Sequence, residues 1–83
     1  MLDTSAIGHI IRNERKAQGL RQDELAAASG VGVRFLVELE RGKPTAQLGK
    51  ALDVLNALGC AVQIRTPGGL TLTAPPAPDE EGA

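Results

Sequence analysis

Side chains able to do covalent or metal chemistry are scarce in this chain. It carries one cysteine, Cys60, and one histidine, His9, among 83 residues. An ordinary zinc site needs about four ligands, so no metal and no cofactor are expected. A cysteine nucleophile needs a base held beside it, and nothing in the chain supplies one for Cys60. Cys60 therefore reads as a small core residue, and His9 as a surface or half-buried one. No carboxylate pair, nucleophile–base pair or phosphate loop stands out, which sets an enzyme aside. What remains is hydrogen-bonding chemistry. Arg34 offers the fork of donors that fits guanine O6 and N7, the commonest specific contact in a DNA major groove; otherwise it is a solvated arginine. Glu38, four residues later on the same helix face, either accepts from cytosine N4 or orients Arg34. Val33 and Val37 are apolar groups able to meet thymine methyls. Which of these readings applies depends on the elements that hold the residues.

Four helical segments are expected. Ile7, Ile10 and Ile11 make one apolar face of a helix from Ser5 to about Gln18, capped by Thr4 or Ser5 and stopped by Gly19. Arg21–Ser29 follows, with Leu25, Ala26 and Ala28 as its small and apolar positions. Asp23 and Glu24 sit in its first turn, where the helix dipole favours anions, and Gly30 is its left-handed stop. Val33–Arg41 is a third helix, with Leu36 and Leu39 facing the core; Gly42 and Pro44 end it. Thr45 caps a fourth, Ala46–Leu58, whose Leu48, Leu52, Leu55 and Leu58 form an apolar stripe. The pattern then changes. Cys60–Thr66 has period two at Val62 and Ile64, and Thr66-Pro67-Gly68-Gly69 suits a type II turn before Leu70–Thr73. A hairpin is possible there, although a lone one is marginal in water. The final stretch is rich in proline and acid and is expected to be disordered. Phe35, the single aromatic, either meets a partner or packs beside the fourth helix.

The overall net charge is −1, but it is unevenly spread. Residues 1–68 hold all nine Lys and Arg against seven acids, a net of +2, and Asp79, Glu80 and Glu81 supply the rest. A signal segment is not expected, and no apolar run approaches the roughly 20 residues of a membrane helix. A cytoplasmic protein is the expectation. A chain this short buries only about 60–65% of its unfolded surface, so a partner subunit would help it fold.

Two short helices joined by a tight glycine-containing turn are the elements of a helix-turn-helix. Leu36 and Leu39 pin the third helix from behind, which turns Val33, Arg34, Val37 and Glu38 outward. With Arg15, G-L-x-Q at 19–22, L-A at 25–26, G-V at 30–31 and L-E-R-G-K at 39–43, residues 7–58 resemble the phage-repressor/Cro (Xre-type) helix-turn-helix family. That resemblance implies a mainly α, four-to-five-helix domain with a short C-terminal strand or hairpin, working as a dimer. It implies that Gln22 bonds a phosphate, that Val33, Arg34 and Glu38 read bases, and that Arg41, Lys43 and the Lys43-Pro44-Thr45 backbone track a phosphate strand. It also implies a structural ion pair between Arg15 and Glu40. Two positions depart from the family's pattern. Arg21 stands where Thr or Ser usually caps the second helix, a loss of about 1 kcal/mol that a phosphate contact from Arg21 could offset. Gly32 stands where Ser or Thr usually caps the third helix and touches DNA.

After the fourth helix, L-G-K-A-L-D-V-L-N-A-L-G runs directly into C-A-V-Q-I-R, and E-R-G-K-P-T-A precedes it. This arrangement resembles the HipB-like antitoxins. Their C-terminal strand, here Ala61, Val62, Gln63, Ile64 and Arg65, pairs with its copy in a dimer, and they bind operator DNA and a HipA-type kinase toxin. The organisation expected is a DNA-binding domain at 1–59, a strand or hairpin dimerisation segment at 60–74 and a tail at 75–83. The function expected is sequence-specific repression; the alternative is a protein-interaction module on the same fold that binds little DNA.

Overall fold

The computed structural model describes residues 2–74. The tail expected to be disordered, 75–83, lies outside the described residues. Four helices and a two-stranded hairpin follow in order: α1 (Thr4–Ala17), α2 (Gln22–Ser29), α3 (Val33–Glu40), α4 (Leu48–Ala57), β1 (Val62–Arg65) and β2 (Thr71–Ala74). The mainly helical fold with a short C-terminal strand pair agrees with the sequence reading.

Asp3, not Thr4 or Ser5, caps α1, its carboxylate accepting the Ala6 N–H at 2.8 Å. Thr4 is otherwise engaged, since its hydroxyl donates to the Gly42 carbonyl at 2.8 Å. The face of α1 that meets the core runs through Ile7, Gly8, Ile11 and Arg15. Ile11 is 0% exposed, whereas Ile10 is 49% exposed and falls outside the predicted face. The reason is Gly8, which lets the backbone of α1 touch the end of α3, so the contact is centred on Gly8 and turns Ile10 away. At the other end of α1, the Gln18 amide donates to the Leu58 carbonyl at 2.8 Å and ties α1 to the end of α4.

Leu25 and Ala26 of α2 are buried, and the small Ala26 suits the close crossing of α2 and α3. Ala28, the third of the small and apolar positions of α2, is exposed. Gly30 ends α2 with φ 72°, a conformation that glycine adopts without a Cβ penalty. Leu36 and Leu39 anchor α3. α4 begins two residues later than predicted. Thr45 does not cap it, because Lys43–Ala46 closes as a turn with the Ala46 N–H on the Lys43 carbonyl at 3.4 Å. Leu48 therefore sits at the open end of the helix, 72% exposed, and Ala51 and Val54 join Leu55 and Leu58 in the core while Leu52 is half-buried. Ile11, Leu25, Leu36 and Val54 are the largest fully enclosed side chains, each contributing about 1.5–3 kcal/mol of burial.

The hairpin forms within the chain. Val62 pairs with Ala74, Gln63 with Thr73, Ile64 with Leu72 and Arg65 with Thr71. Its turn is not type II, because the positive φ of 87° falls on Gly69 and Gly68 has none. The Gly69 N–H closes on the Thr66 carbonyl at 3.0 Å, which fits a type I turn followed by a left-handed residue. Cys60 and Val62 pack against the helical core, and this support is what a lone hairpin lacks. Burial, and secondarily the charge of Glu14, pushes the Cys60 thiol pKa up, away from the thiolate form that reacts.

Candidate nucleic-acid interface

The outward face of α3 is set by what holds its inner face. With Leu36 and Leu39 buried, Val33 stands 45% exposed and Arg34 is exposed beside it, while Val37 and Glu38 are half-buried on the same outer side. Among the described residues Arg34 makes no ion pair. Glu38 does not orient it. Gly42 reverses the chain with φ 86°, and this return brings Lys43 onto Glu38. The Lys43 N–H donates to the Glu38 carbonyl at 3.1 Å, and its ammonium lies 3.3 Å from Glu38 Oε2. Both side chains are partly solvated, so the pair is worth about 0–1 kcal/mol and a phosphate could draw Lys43 away.

Behind α3 lies a buried network. The Arg15 guanidinium grips Glu40 with two parallel bonds, Nε to Oε2 at 2.6 Å and Nη2 to Oε1 at 3.0 Å, and Nη1 donates to the Leu20 carbonyl at 2.8 Å. The two side chains are 9% and 4% exposed. Glu40 hydrogen bonding raises the Arg15 pKa further above its ordinary value, with burial acting in the opposite direction. The pair implied by the resemblance is thus a bidentate link between α1 and α3. It extends to α2, since the Gln22 amide donates to Glu40 Oε1 at 3.1 Å. A glutamine NH2 carries two donors, so Gln22 keeps one N–H while its side chain is held in place.

This network floors a polar cleft of about 310 Å³ lined by Arg12, Arg15, Gln22, Val37, Glu40 and Arg41. Arg12 was not singled out in the sequence. The available signal is its place three residues before Arg15, which puts both on one face of α1.

At the start of α2, Arg21 has no acceptor with which to cap, as expected. The Glu24 carboxylate instead accepts the Arg21 N–H at 2.8 Å. The Arg21 guanidinium is 75% exposed and lies over acids of its own helix, 3.3 Å from Asp23 and 3.6 Å from Glu24. Gly32 precedes α3 without a side-chain cap, and a Cβ there would meet open space. Thr45 is exposed in the turn before α4. Phe35 packs against the core, with the Lys50 ammonium of α4 5.6 Å from its ring centre. That is the packing reading of this residue. The segment Ala61–Arg65 takes in β1 and the residue before it, with Val62 packed against the helical core.

Two helices of eight residues, joined by a glycine turn and presenting an exposed face on the second, have the geometry of major-groove readers, in which the first helix crosses the backbone and the second enters the groove. Among the described residues no helix is long and apolar enough to cross a membrane. The helix-turn-helix family matches residues 11–65, which takes in α2, α3 and α4 whole and β1 besides. An HTH-type transcriptional regulator, y4mF of Sinorhizobium fredii (strain NBRC 101917 / NGR234), is 61% identical over 62 residues, covering 75% of this chain and 82% of that relative. The chain belongs to the helix-turn-helix family, and DNA-binding transcription regulation is the role that goes with it.

Proposed function

We propose that this protein is a sequence-specific repressor that binds a palindromic site as a two-fold dimer. The observation that carries the reading is the outer face of α3, where Val33 and Arg34 are exposed on a helix held from behind by Leu36, Leu39 and the Arg15–Glu40–Gln22 network. In this reading Arg34 bonds guanine O6 and N7, and Val33 and Val37 meet thymine methyls. Glu38 and Lys43 border them. Gln22, Arg41 and Lys43 hold phosphates, joined by Arg21 once it leaves Asp23 and Glu24, and the Gly32 and Thr45 backbones lie beside the strand. Replacing Arg34 by Ala is expected to weaken operator binding by about 1–3 kcal/mol and to leave the melting temperature nearly unchanged. A large fall in melting temperature would show that Arg34 supports the fold instead.

The dimer reading uses β1. The hydrogen-bonded Thr66–Leu70 closure means that Ile64 and Val62 also face β2 with their backbone groups, by the alternation of antiparallel ladders. The N–H and C=O groups of Gln63 and Arg65 then point to the open edge, where a two-fold copy centred on Gln63 would pair them and bring exposed Ile64 beside the partner's Val62. Recognition helices of such a dimer enter successive major grooves about 34–36 Å apart. Truncation after Gly59 is expected to raise the dimer dissociation constant. Because that cut also strips Cys60 and Val62 from the core, Gln63→Pro is the cleaner variant: it removes an outward N–H and spares the bonds to β2. Sedimentation that finds an unchanged dimer in both variants counts against the strand edge.

The finer reading is an autoregulating antitoxin that also holds a HipA-like kinase toxin; its support is the likeness of the 40–65 stretch to HipB-like proteins. The alternative is an interaction module with little DNA binding, and the observation in its favour is Arg21 lying over its own acids beside a capless Gly32. Fluorescence anisotropy with the DNA upstream of the gene, at two salt concentrations, separates them. A repressor binds tightly, resists excess random DNA and weakens steeply with salt; an interaction module does none of these.

A further inference from the structure

The polar cleft between α1, α2 and the end of α3 has two arginines at its walls whose charges nothing in the described chain neutralises. Arg12 and Arg41 are exposed, and neither makes an ion pair among the described residues. Among the described residues the only carboxylate lining the cleft is Glu40, and both of its oxygens are occupied, Oε2 by Arg15 Nε and Oε1 by Arg15 Nη2 and by Gln22. Three guanidiniums therefore face one carboxylate that is already bonded inward. The floor is rigid, because Arg15 and Glu40 are buried and doubly bonded, and it still offers donors. Of the five guanidinium N–H groups of Arg15, three are used. Gln22 has one N–H left. The cleft thus has cationic walls, a donor-bearing floor and no free acceptor charge, which is the chemistry of an oxyanion seat.

We propose that Arg12 is a DNA-backbone contact, closing with Arg41 on one phosphate diester seated in this cleft above the Arg15–Glu40 pair. The inference rests on the DNA-binding reading and extends it to α1, outside the helix-turn-helix unit. Arg12 reads no base. It anchors the first helix to the strand and so limits how α3 rocks in the groove.

The test uses the full chain and two fluorescent duplexes, the upstream DNA and a random sequence, titrated over a series of salt concentrations. In Arg12→Ala, the slope of log affinity against log salt is expected to fall by about 0.9, the share of one B-DNA phosphate, with both duplexes weakened by a similar factor. Arg12→Lys is expected to regain most of the slope. Lys16→Ala removes an equal charge from the next turn of α1, outside the cleft, and is expected to keep the wild-type slope. Melting curves of all three should match wild type. An unchanged slope in Arg12→Ala, or an equal loss in Lys16→Ala, overturns the proposal while leaving DNA binding standing. A wild-type protein that shows no salt-sensitive binding to either duplex overturns the DNA reading itself, and this inference with it.

Discussion

Glu40→Leu is expected to be strongly destabilised, its urea midpoint falling far below that of wild type. The substitution leaves the Arg15 guanidinium buried without its carboxylate and takes the partner from Gln22 at the same moment. Breaking a buried pair by removing one partner costs about 3–5 kcal/mol. A domain of this size has about 4–12 kcal/mol in total, so the loss consumes a large part of it. Urea denaturation followed by circular dichroism gives the measurement. The companion variant, Arg15→Met with Glu40→Leu, removes both charges and fills the space with apolar atoms. It should recover most of the stability, since replacing a whole buried pair by well-packed hydrophobic groups is often neutral. DNA binding should not recover, because Gln22 loses the bond that holds it and the cleft loses its floor. A single variant as stable as wild type would mean that Arg15 relaxes into solvent and that the pair contributes little.

Gly8→Ala is expected to destabilise the protein, against the ordinary rule. In a helix interior, Ala is better than Gly by about 0.5–1 kcal/mol. Here, however, a Cβ would lie 2.5 Å from the Leu39 carbonyl oxygen and 2.6 Å from that of Glu40. Both obstacles are backbone, so α1 and α3 must move apart. Overpacking of this kind costs about 1–3 kcal/mol, sometimes more, and the shift also strains the link from Glu40 to Arg15, about two turns further along α1. With about 4–8 °C lost per kcal/mol in a domain this small, the change is plain in a thermal melt. Gly49→Ala on α4 is the control, since its Cβ would meet open space; it should melt slightly higher than wild type. If Gly8→Ala melted as high as Gly49→Ala, the close approach of α1 to α3 would be wrong.

The family resemblance already implied the Arg15–Glu40 pair, whereas the Gly8 effect is not visible in local sequence. Gly8 looks like a helix weakness, and its value comes from residues 31 and 32 positions away. Arg12 looks like one more exposed cation until α3 brings Arg41 across from it. Leu48 fits the leucine stripe by spacing, yet it ends up outside because the Lys43–Ala46 turn delays α4. The expected Glu38–Arg34 relation failed for a similar reason. Helical spacing permits it, but the chain reversal at Gly42 places Lys43 nearer to Glu38.

The amino-acid sequence by itself determined the α2–turn–α3 unit and its outward face. The signals there are local: Leu25-Ala26, the stop at Gly30, and Leu36 with Leu39 three residues apart. Helical periodicity and glycine's freedom at positive φ are properties of neighbouring residues and need no knowledge of the rest of the chain. Only the tertiary structure decided which isoleucine of α1 is buried, that Asp3 and not Thr4 caps it, that β1 closes on β2 within the chain, and that Gln22, Glu40, Arg15 and Arg12 share one cleft. Those outcomes depend on contacts between elements far apart in the chain, where the packing of backbones and the direction of each turn choose among partners that local spacing leaves equal.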